Sequence, residues 1–434
     1  MRVAARRSAF LLAAVVSSGV LEASDAAEPP TRVEEWTRLR REKAAHAAPS
    51  RPGILERTLL AFEKAERPSL LTLNVGGVYP RLVNLAAGSQ TAAGVRLWRP
   101  DIGAAQVDLH ASAFHSVLGY EYYDVQVGRM AQRGDAFPTR STSGDDVHEL
   151  GNVARVPDGR AILYGSARYR HFPRDGFYGL GLAARPEGRS NYLGQDALYE
   201  LVAGYEGPRG AATVRGGLMQ AFVGPGTADE HPDIRVLYDD RSAPGLDRQP
   251  DFVHLSASVL LDRRDLPGNP HRGGVIALAA TRFDERGGDA FTFHRLAGDA
   301  RGFASLGSPQ RVLAVRALAS LDRPAEGARV PFYLAETLGG SRTLRGFHSF
   351  RFRGEKILLL QAEYRWETWP ALEFAVFVDA GRAYGRGEAF ALRRLRHDYG
   401  VGVRLKTHDR VLARLEVARS GEDTRYLIRL GPSF

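Results

Sequence analysis

The chain of 434 residues contains no cysteine, which removes disulfide frameworks and thiolate metal sites from consideration. Beyond the N-terminus it also lacks any run of the eighteen or so consecutive apolar residues that a transmembrane helix requires. A negative mean hydropathy points the same way. Absent too are a Gly-x-Ser-x-Gly elbow, a His-Glu-x-x-His pair, a phosphate loop and a dinucleotide fingerprint, so neither cofactor, metal nor catalysis is expected. There is no internal repeat and no low-complexity tract. The net charge of +9 is carried by arginines scattered through apolar stretches rather than gathered in one run. Solvated or lumen-facing arginines account for that pattern, and a nucleic-acid partner is not expected.

What is present begins with a signal peptide over residues 1–26. Arg2, Arg6 and Arg7 form a basic start, Ala9 to Val16 an apolar core, and Ser24-Asp25-Ala26 a small-residue cleavage site. Residues 27–69 read as a short helical or linker segment. Its first piece, Thr31 to Ala48, has Val33, Trp36, Leu39 and Arg40 at helical spacing. Pro49 to Gly53 breaks it, and Ile54 to Glu66 resumes with Leu55, Leu59 and Phe62 on one side.

From about residue 70 to 434 the texture is that of strand. In the stretch Leu358 to Glu367, Leu358, Leu360, Ala362, Tyr364 and Trp366 share one face, and Leu359, Gln361, Glu363, Arg365 and Glu367 the other. Leu372, Phe374, Val376 and Val378 oppose Glu373, Ala375, Phe377 and Asp379. Val411, Ala413, Leu415 and Val417 oppose Leu412, Arg414, Glu416 and Ala418, and Tyr426, Ile428 and Leu430 oppose Arg425, Leu427 and Arg429. A soluble sandwich also alternates, but charged residues on the polar face of strand after strand suit a wet lumen opposite a lipid-facing band.

The expected fold is therefore all-β, a transmembrane antiparallel β-barrel of about 16 strands with a short helical N-terminal segment. The strands centre near Asn74, Val95, Leu109, Val125, Leu163, Leu201, Val214, Ser256, Leu278, Ala297, Val315, Glu363, Val376, Val403, Leu415 and Ile428. Arg133 to Gly159 is a polar insertion with no assigned place. His110 and His115 read as wall residues, and Asp262 and Asp265 as caps of a turn beside Arg263 and Arg264.

Three stretches resemble the BamA/TamA assembly-factor superfamily. One is Leu338-Gly-Gly-Ser-Arg-Thr-Leu-Arg-Gly-Phe347, followed by Glu363-Tyr364-Arg365 and by Phe377-Val-Asp-Ala-Gly381. The second is Leu261-Asp-Arg-Arg-Asp265 with Pro267, Pro270 and Gly273-Gly274, and the third Phe177 to Gly181. The resemblance is specific toward the C-terminus and diffuse from Leu71 to Gln249. It implies an inward-folded loop carrying Arg345, Gly346 and Phe347, docked on wall residues Glu363, Arg365, Phe377, Asp379 and Gly381. Phe434, preceded at alternate positions by Leu430, Ile428 and Tyr426, resembles the signal read by the barrel-assembly machinery.

The function implied is an insertase or translocase for protein or lipid in the cell outer membrane. The alternative is a passive or structural barrel plugged by its loop. The stretch 27–69 is shorter than one POTRA domain, the module such factors carry ahead of the barrel. A periplasmic partner supplying a client-binding module is therefore expected, beside outer-membrane lipid and the assembly machinery.

Overall fold

The computed structural model describes residues 76–430 except 84, 87–88, 90–91, 105–106, 131–157 and 408–410, together with five helical residues upstream. Those five are Glu35, Arg38, Leu39, Arg41 and Glu42, inside the segment expected to be helical. Arg38 and Glu42 stand one helical turn apart, with Nε 3.6 Å from Oε1. The expected signal peptide, the rest of 27–69, nearly all of the insertion and Phe434 lie outside the described residues.

A strand turns successive side chains to opposite faces, so alternating runs separated by turn residues fold as a meander. The first strands are β1 (Val78–Val83), β2 (Ala92–Ile102), β3 (Val107–Ser116), β4 (Glu121–Arg129), β5 (Arg160–Phe177) and β6 (Ser190–Gly207). Then come β7 (Gly210–Pro225), β8 (Phe252–Asp262), β9 (Gly273–Glu285), β10 (Phe293–Ser305) and β11 (Arg311–Pro324). A short hairpin of β12 (Glu336–Leu338) and β13 (Phe352–Gly354) follows. The meander resumes as β14 (Lys356–Trp369), β15 (Leu372–Tyr384), β16 (Arg396–Lys406), β17 (Val411–Ser420) and β18 (Thr424–Leu430). Together the long strands make one 16-stranded antiparallel sheet, with β11 paired to β14 across the hairpin. Every expected strand centre except the first falls inside a strand. Asn74 is not among the described residues, and the first described strand starts at Val78, after Gly76 and Gly77 turn the chain with positive φ.

Burial follows the pleat. In β8, Phe252, His254, Ser256, Ser258, Leu260 and Asp262 are buried, while Val253, Leu255, Val259 and Leu261 are 47–59% exposed. Val125, Leu201, Val214, Leu278, Val315, Val376, Val401 and Leu415 are exposed in the same way. So continuous an apolar exterior would aggregate in water and suits a bilayer. One expected face is locally reversed. A bulge between Leu405 and Lys406 pairs Lys406 with Val411, which turns Val411 inward while Leu415 and Val417 stay outward.

The two ends differ. Residues 178–189, 226–251, 325–355 and 385–395 form loops at one end, whereas two-residue turns at 208–209 and 370–371 mark the other. In outer-membrane barrels the long loops face outward and the short turns face the periplasm. The insertion leaves β4 and re-enters β5 at the turn end. There the β8–β9 turn also reaches across the barrel, and Val411 N donates to Gly268 O at 3.1 Å. Within that turn Asp262 receives Arg264 Nε and Nη2 at 3.0 and 2.7 Å, and Asp265 Oδ1 accepts the backbone N–H of Leu266 and of His271.

At the loop end the mouth holds an apolar cluster in which Phe332 meets Phe177 at 5.0 Å and Tyr192 at 5.1 Å between ring centroids. Arg353 is buried beside these rings and donates from Nη1 to Phe332 O at 2.6 Å.

Candidate functional site

The loop between β11 and β14 descends into the barrel on a glycine-dependent turn. Gly339 has φ +113°, and a Cβ there would stand 2.1 Å from His348 O, so no other residue fits without moving the backbone. Thr343 Oγ1 accepts from Gly339 N at 2.9 Å, and Gly340 N donates to Phe347 O at 3.1 Å. The turn thereby presents Arg345, Gly346 and Phe347 to the wall.

Arg345 is fully buried. Its Nε and Nη2 donate to the two oxygens of Asp379 at 2.7 and 2.8 Å, and its backbone N–H to Oδ2 at 3.3 Å. Nη1 donates to Glu363 at 3.0 Å and to Glu416 at 3.2 Å. The guanidinium carbon lies 3.4 Å from the ring centroid of Phe377. A guanidinium removed from water is tolerable only when its donors are met, and here a fork, two further carboxylates and an aromatic face meet them.

The neighbours fit around it. A Cβ on Gly346 would stand 2.6 Å from Asp398 Cβ and 3.0 Å from Ser420 Cβ, and Ser420 Oγ donates to Gly346 O at 2.8 Å. Phe347 packs edge-on against Phe352 at 5.0 Å in a cluster that includes Leu338, Leu344, Ile357 and Leu359. Gly381 leaves room for Leu338, whose Cδ1 would come within 3.1 Å of a Cβ there.

Arg365 joins the cluster through its acid. It donates to Glu363 at 2.7 Å, as Arg404 does to the same oxygen. Arg404 also donates to Glu373 at 3.2 Å, and Arg414 to Glu416 at 2.7 Å and to the loop carbonyl of Ser341 at 3.1 Å. Gln361 Nε2 bridges the loop carbonyl of Thr343 and Asp379 at 2.8 and 3.0 Å. Four guanidiniums are thus matched by Asp379, Glu363, Glu373 and Glu416. Glu416, Arg404, Arg414 and Gln361 were not among the expected docking residues. Their signal was parity, since each shares the inward face of its strand with a buried neighbour.

The expected wet lumen is corrected in this sector. Glu363, Asp379 and Glu416 are at most 2% exposed because the loop takes the place of water. Beside β4 to β7 the lumen instead keeps a cavity of about 150 Å³. Its wall carries Asp124, Arg170, Asp196, Glu200 and Arg215, with Arg170 on Asp196 at 2.8 Å.

His110 is on the lumen wall nearby, with Nε2 3.2 Å from Ser112 Oγ and Nδ1 3.0 Å from Asp124 Oδ2. The order of groups is that of a serine hydrolase. Yet no hydrogen bond is aligned on Asp124 Oδ2, and Asp124 lines the cavity while Ser112 and His110 do not. His115 is on the same strand at the loop end, 3.7 Å from Glu121. Of the terminal strand, Tyr426 and Ile428 point outward at 79% and 77% exposure. Leu430 closes β18.

Residues 227–425 match the model of the Omp85 superfamily domain, a span that holds the whole Arg345 cluster. The chain carries an Omp85 superfamily domain. The chain is similar to BamA from Haemophilus ducreyi lacking POTRA domains 1–3, at 12% identity and a TM-score of 0.52. That likeness covers 91% of this chain and 80% of that one, and it is a likeness of fold. CdiB from Escherichia coli matches at 12% identity and a TM-score of 0.45, over 83% of this chain and 60% of its own. No curated protein matches in sequence. With an Omp85 superfamily domain and an apolar exterior, the protein belongs to the outer membrane.

Proposed function

We propose that this Omp85 barrel inserts or translocates a protein or lipid client along its edge strands rather than through its lumen. The observation that carries the reading is the buried loop, which occupies the lumen beside β14 to β17 through Arg345 and its carboxylates. The edges support it. Among the described residues β1 and β18 share no backbone pairing, and β1 is only six residues long. Unpaired strand edges are templates for a further strand, the interaction an entering strand would use.

In this reading Arg345, Gly346 and Phe347 pin the loop to Glu363, Phe377, Asp379 and Gly381, and Arg365 acts one step away by holding Glu363. Tyr426, Ile428, Leu430 and Phe434 serve the barrel's own delivery by the assembly machinery. A periplasmic partner brings the client.

The test is reconstitution in lipid vesicles with an unfolded barrel client, scored by acquisition of protease resistance. Faster client insertion than in empty vesicles is the expected result. No acceleration, together with silence in planar-bilayer conductance, would leave the plugged structural barrel as the function. The capped mouth around Phe332 and Arg353 favours that second reading.

A further inference from the structure

The arginines at the loop end are unevenly placed. The 226–251 loop carries seven carboxylates against three arginines. The segment 382–396, which joins β15 to β16, carries Arg382, Arg386, Arg393, Arg394 and Arg396 against the single carboxylate Glu388. Glu388 is already taken, since Arg382 Nη2 donates to it at 2.8 Å. Arg386, Arg393 and Arg394 are exposed and make no ion pair within 4.0 Å among the described residues, and only Arg386 has a carboxylate, Glu355, close enough to feel its charge.

Two apolar side chains stand between these arginines. Phe390 is 45% exposed and Leu392 72% exposed. They do not belong to a loosely held tip. Buried Tyr384 fixes the loop, donating from its hydroxyl to Ala391 O at 2.6 Å and packing edge-on against Phe390 at 5.5 Å. Arg394 holds a left-handed turn at φ +58°. The strands below present Phe374, Val376, Val378, Tyr399 and Val401 to lipid, and Arg382 follows Val378 and Ala380 on that outward face. The loop therefore rises from the bilayer wall with apolar and cationic groups at headgroup level.

We propose that this loop is a binding site for the phosphorylated headgroup of an anionic lipid in the outward leaflet. Arg386, Arg393 and Arg394 take the phosphate oxygens, and Phe390 and Leu392 rest on the acyl or sugar boundary. A guanidinium fork suits phosphate, and basic side chains at a charged membrane surface add affinity in steps. The acidic 226–251 loop repels the same headgroup, so binding is confined to the β15–β16 sector. The inference does not depend on insertase activity.

The test uses the full-length protein in nanodiscs of phosphatidylcholine doped with phosphatidylglycerol or with diphosphorylated lipid A. Retained lipid is counted by native mass spectrometry after transfer to detergent. Wild type should keep the anionic lipid over phosphatidylcholine, and added salt should weaken retention. Each of Arg386→Gln, Arg393→Gln and Arg394→Gln should lower retention about fivefold, while Arg241→Gln, an exposed arginine of the acidic loop, should not. Phe390→Ser with Leu392→Ser should lower retention and leave its salt dependence in place. Heat-modifiable gel mobility identical to wild type shows that these surface variants are folded. Equal retention by wild type and the arginine variants would overturn the proposal. So would full displacement of the lipid by inorganic phosphate, which would make the site one for a free anion.

Discussion

Arg345 concentrates in one side chain the problem every buried guanidinium poses, and its surroundings show what removal would expose. Truncating one member of such a cluster strands the others, at a cost of about 3–5 kcal/mol when they are fully buried. Because the lumen here is filled rather than wet, Arg345→Ala should lie within that range and not below it. Its measure is the temperature at which compact gel mobility is lost. Arg345→Lys should recover only part, since an ammonium cannot donate a fork to Asp379. Asp379→Asn should resemble Arg345→Ala, and the double variant should be little worse than either. Fully additive losses would mean the two residues act independently. The arginine and its two nearest acids were legible in the sequence because a loop motif and strand parity singled them out. Glu416 was on an inward face as well, but two strands beyond Asp379, and only the inserted loop brings one guanidinium to both.

The same loop carries a histidine at its outer end. His348 is at the outer mouth, where its Nδ1 accepts from Arg425 Nη1 at 2.6 Å. Burial first, and then Arg425 beside it, hold its pKa below the ordinary 6.5. The neutral imidazole is thus the form the docked loop favours. Its contribution is complete above 6.5 and is lost as pH falls through the depressed value. The midpoint of heat modifiability should therefore fall on moving from pH 7.5 to below 6.5. His348→Gln should flatten that part of the profile. An unchanged profile in the variant would assign the pH response to other groups.

At the scale of the element, β18 offers the sharpest contrast between faces. Tyr426 and Ile428 are outward, whereas Arg425 and Arg429 turn inward and are only partly exposed. Replacing Tyr426 and Ile428 with lysine places charge against lipid, at about 2–4 kcal/mol each near mid-bilayer, and should block insertion in a cell fractionation assay. Arg425→Lys and Arg429→Lys should insert normally. Failure of both pairs alike would reverse the faces assigned to this strand. Period-two alternation made nearly every strand legible, because lipid and lumen impose opposite requirements on neighbouring residues. The sequence signal failed where that constraint lapses. At Val411 a bulge shifts the parity by one. Nor did alternation say how the lumen is filled, since a carboxylate facing water and one facing a guanidinium occupy the same kind of position.

For the whole molecule, the bond between Gly268 and Val411 at the turn end has a mechanical meaning. It spans the lumen as a chord, and Lys406 adds an ion pair to Glu367 at 2.8 Å on the same side. Midway along the wall the Arg345 cluster cross-links β14, β15 and β17 through one side chain. The C-terminal half is therefore braced at its turn end and again midway along its wall. Strands β1 to β4 carry lighter ties, among them Arg160 on Asp108 at 3.4 Å and His110 beside Asp124 at 3.0 Å. Stiffness is thus distributed along the circumference, and deformation should concentrate on the side away from the braces. Hydrogen–deuterium exchange should find amides of β14 to β17 slow and those of β1 to β4 markedly faster. Val411→Pro, which removes the donor N–H, with Arg345→Ala should then erase much of the difference. In that state the barrel would flex as a uniform ring instead of as a stiff wall with a compliant flap.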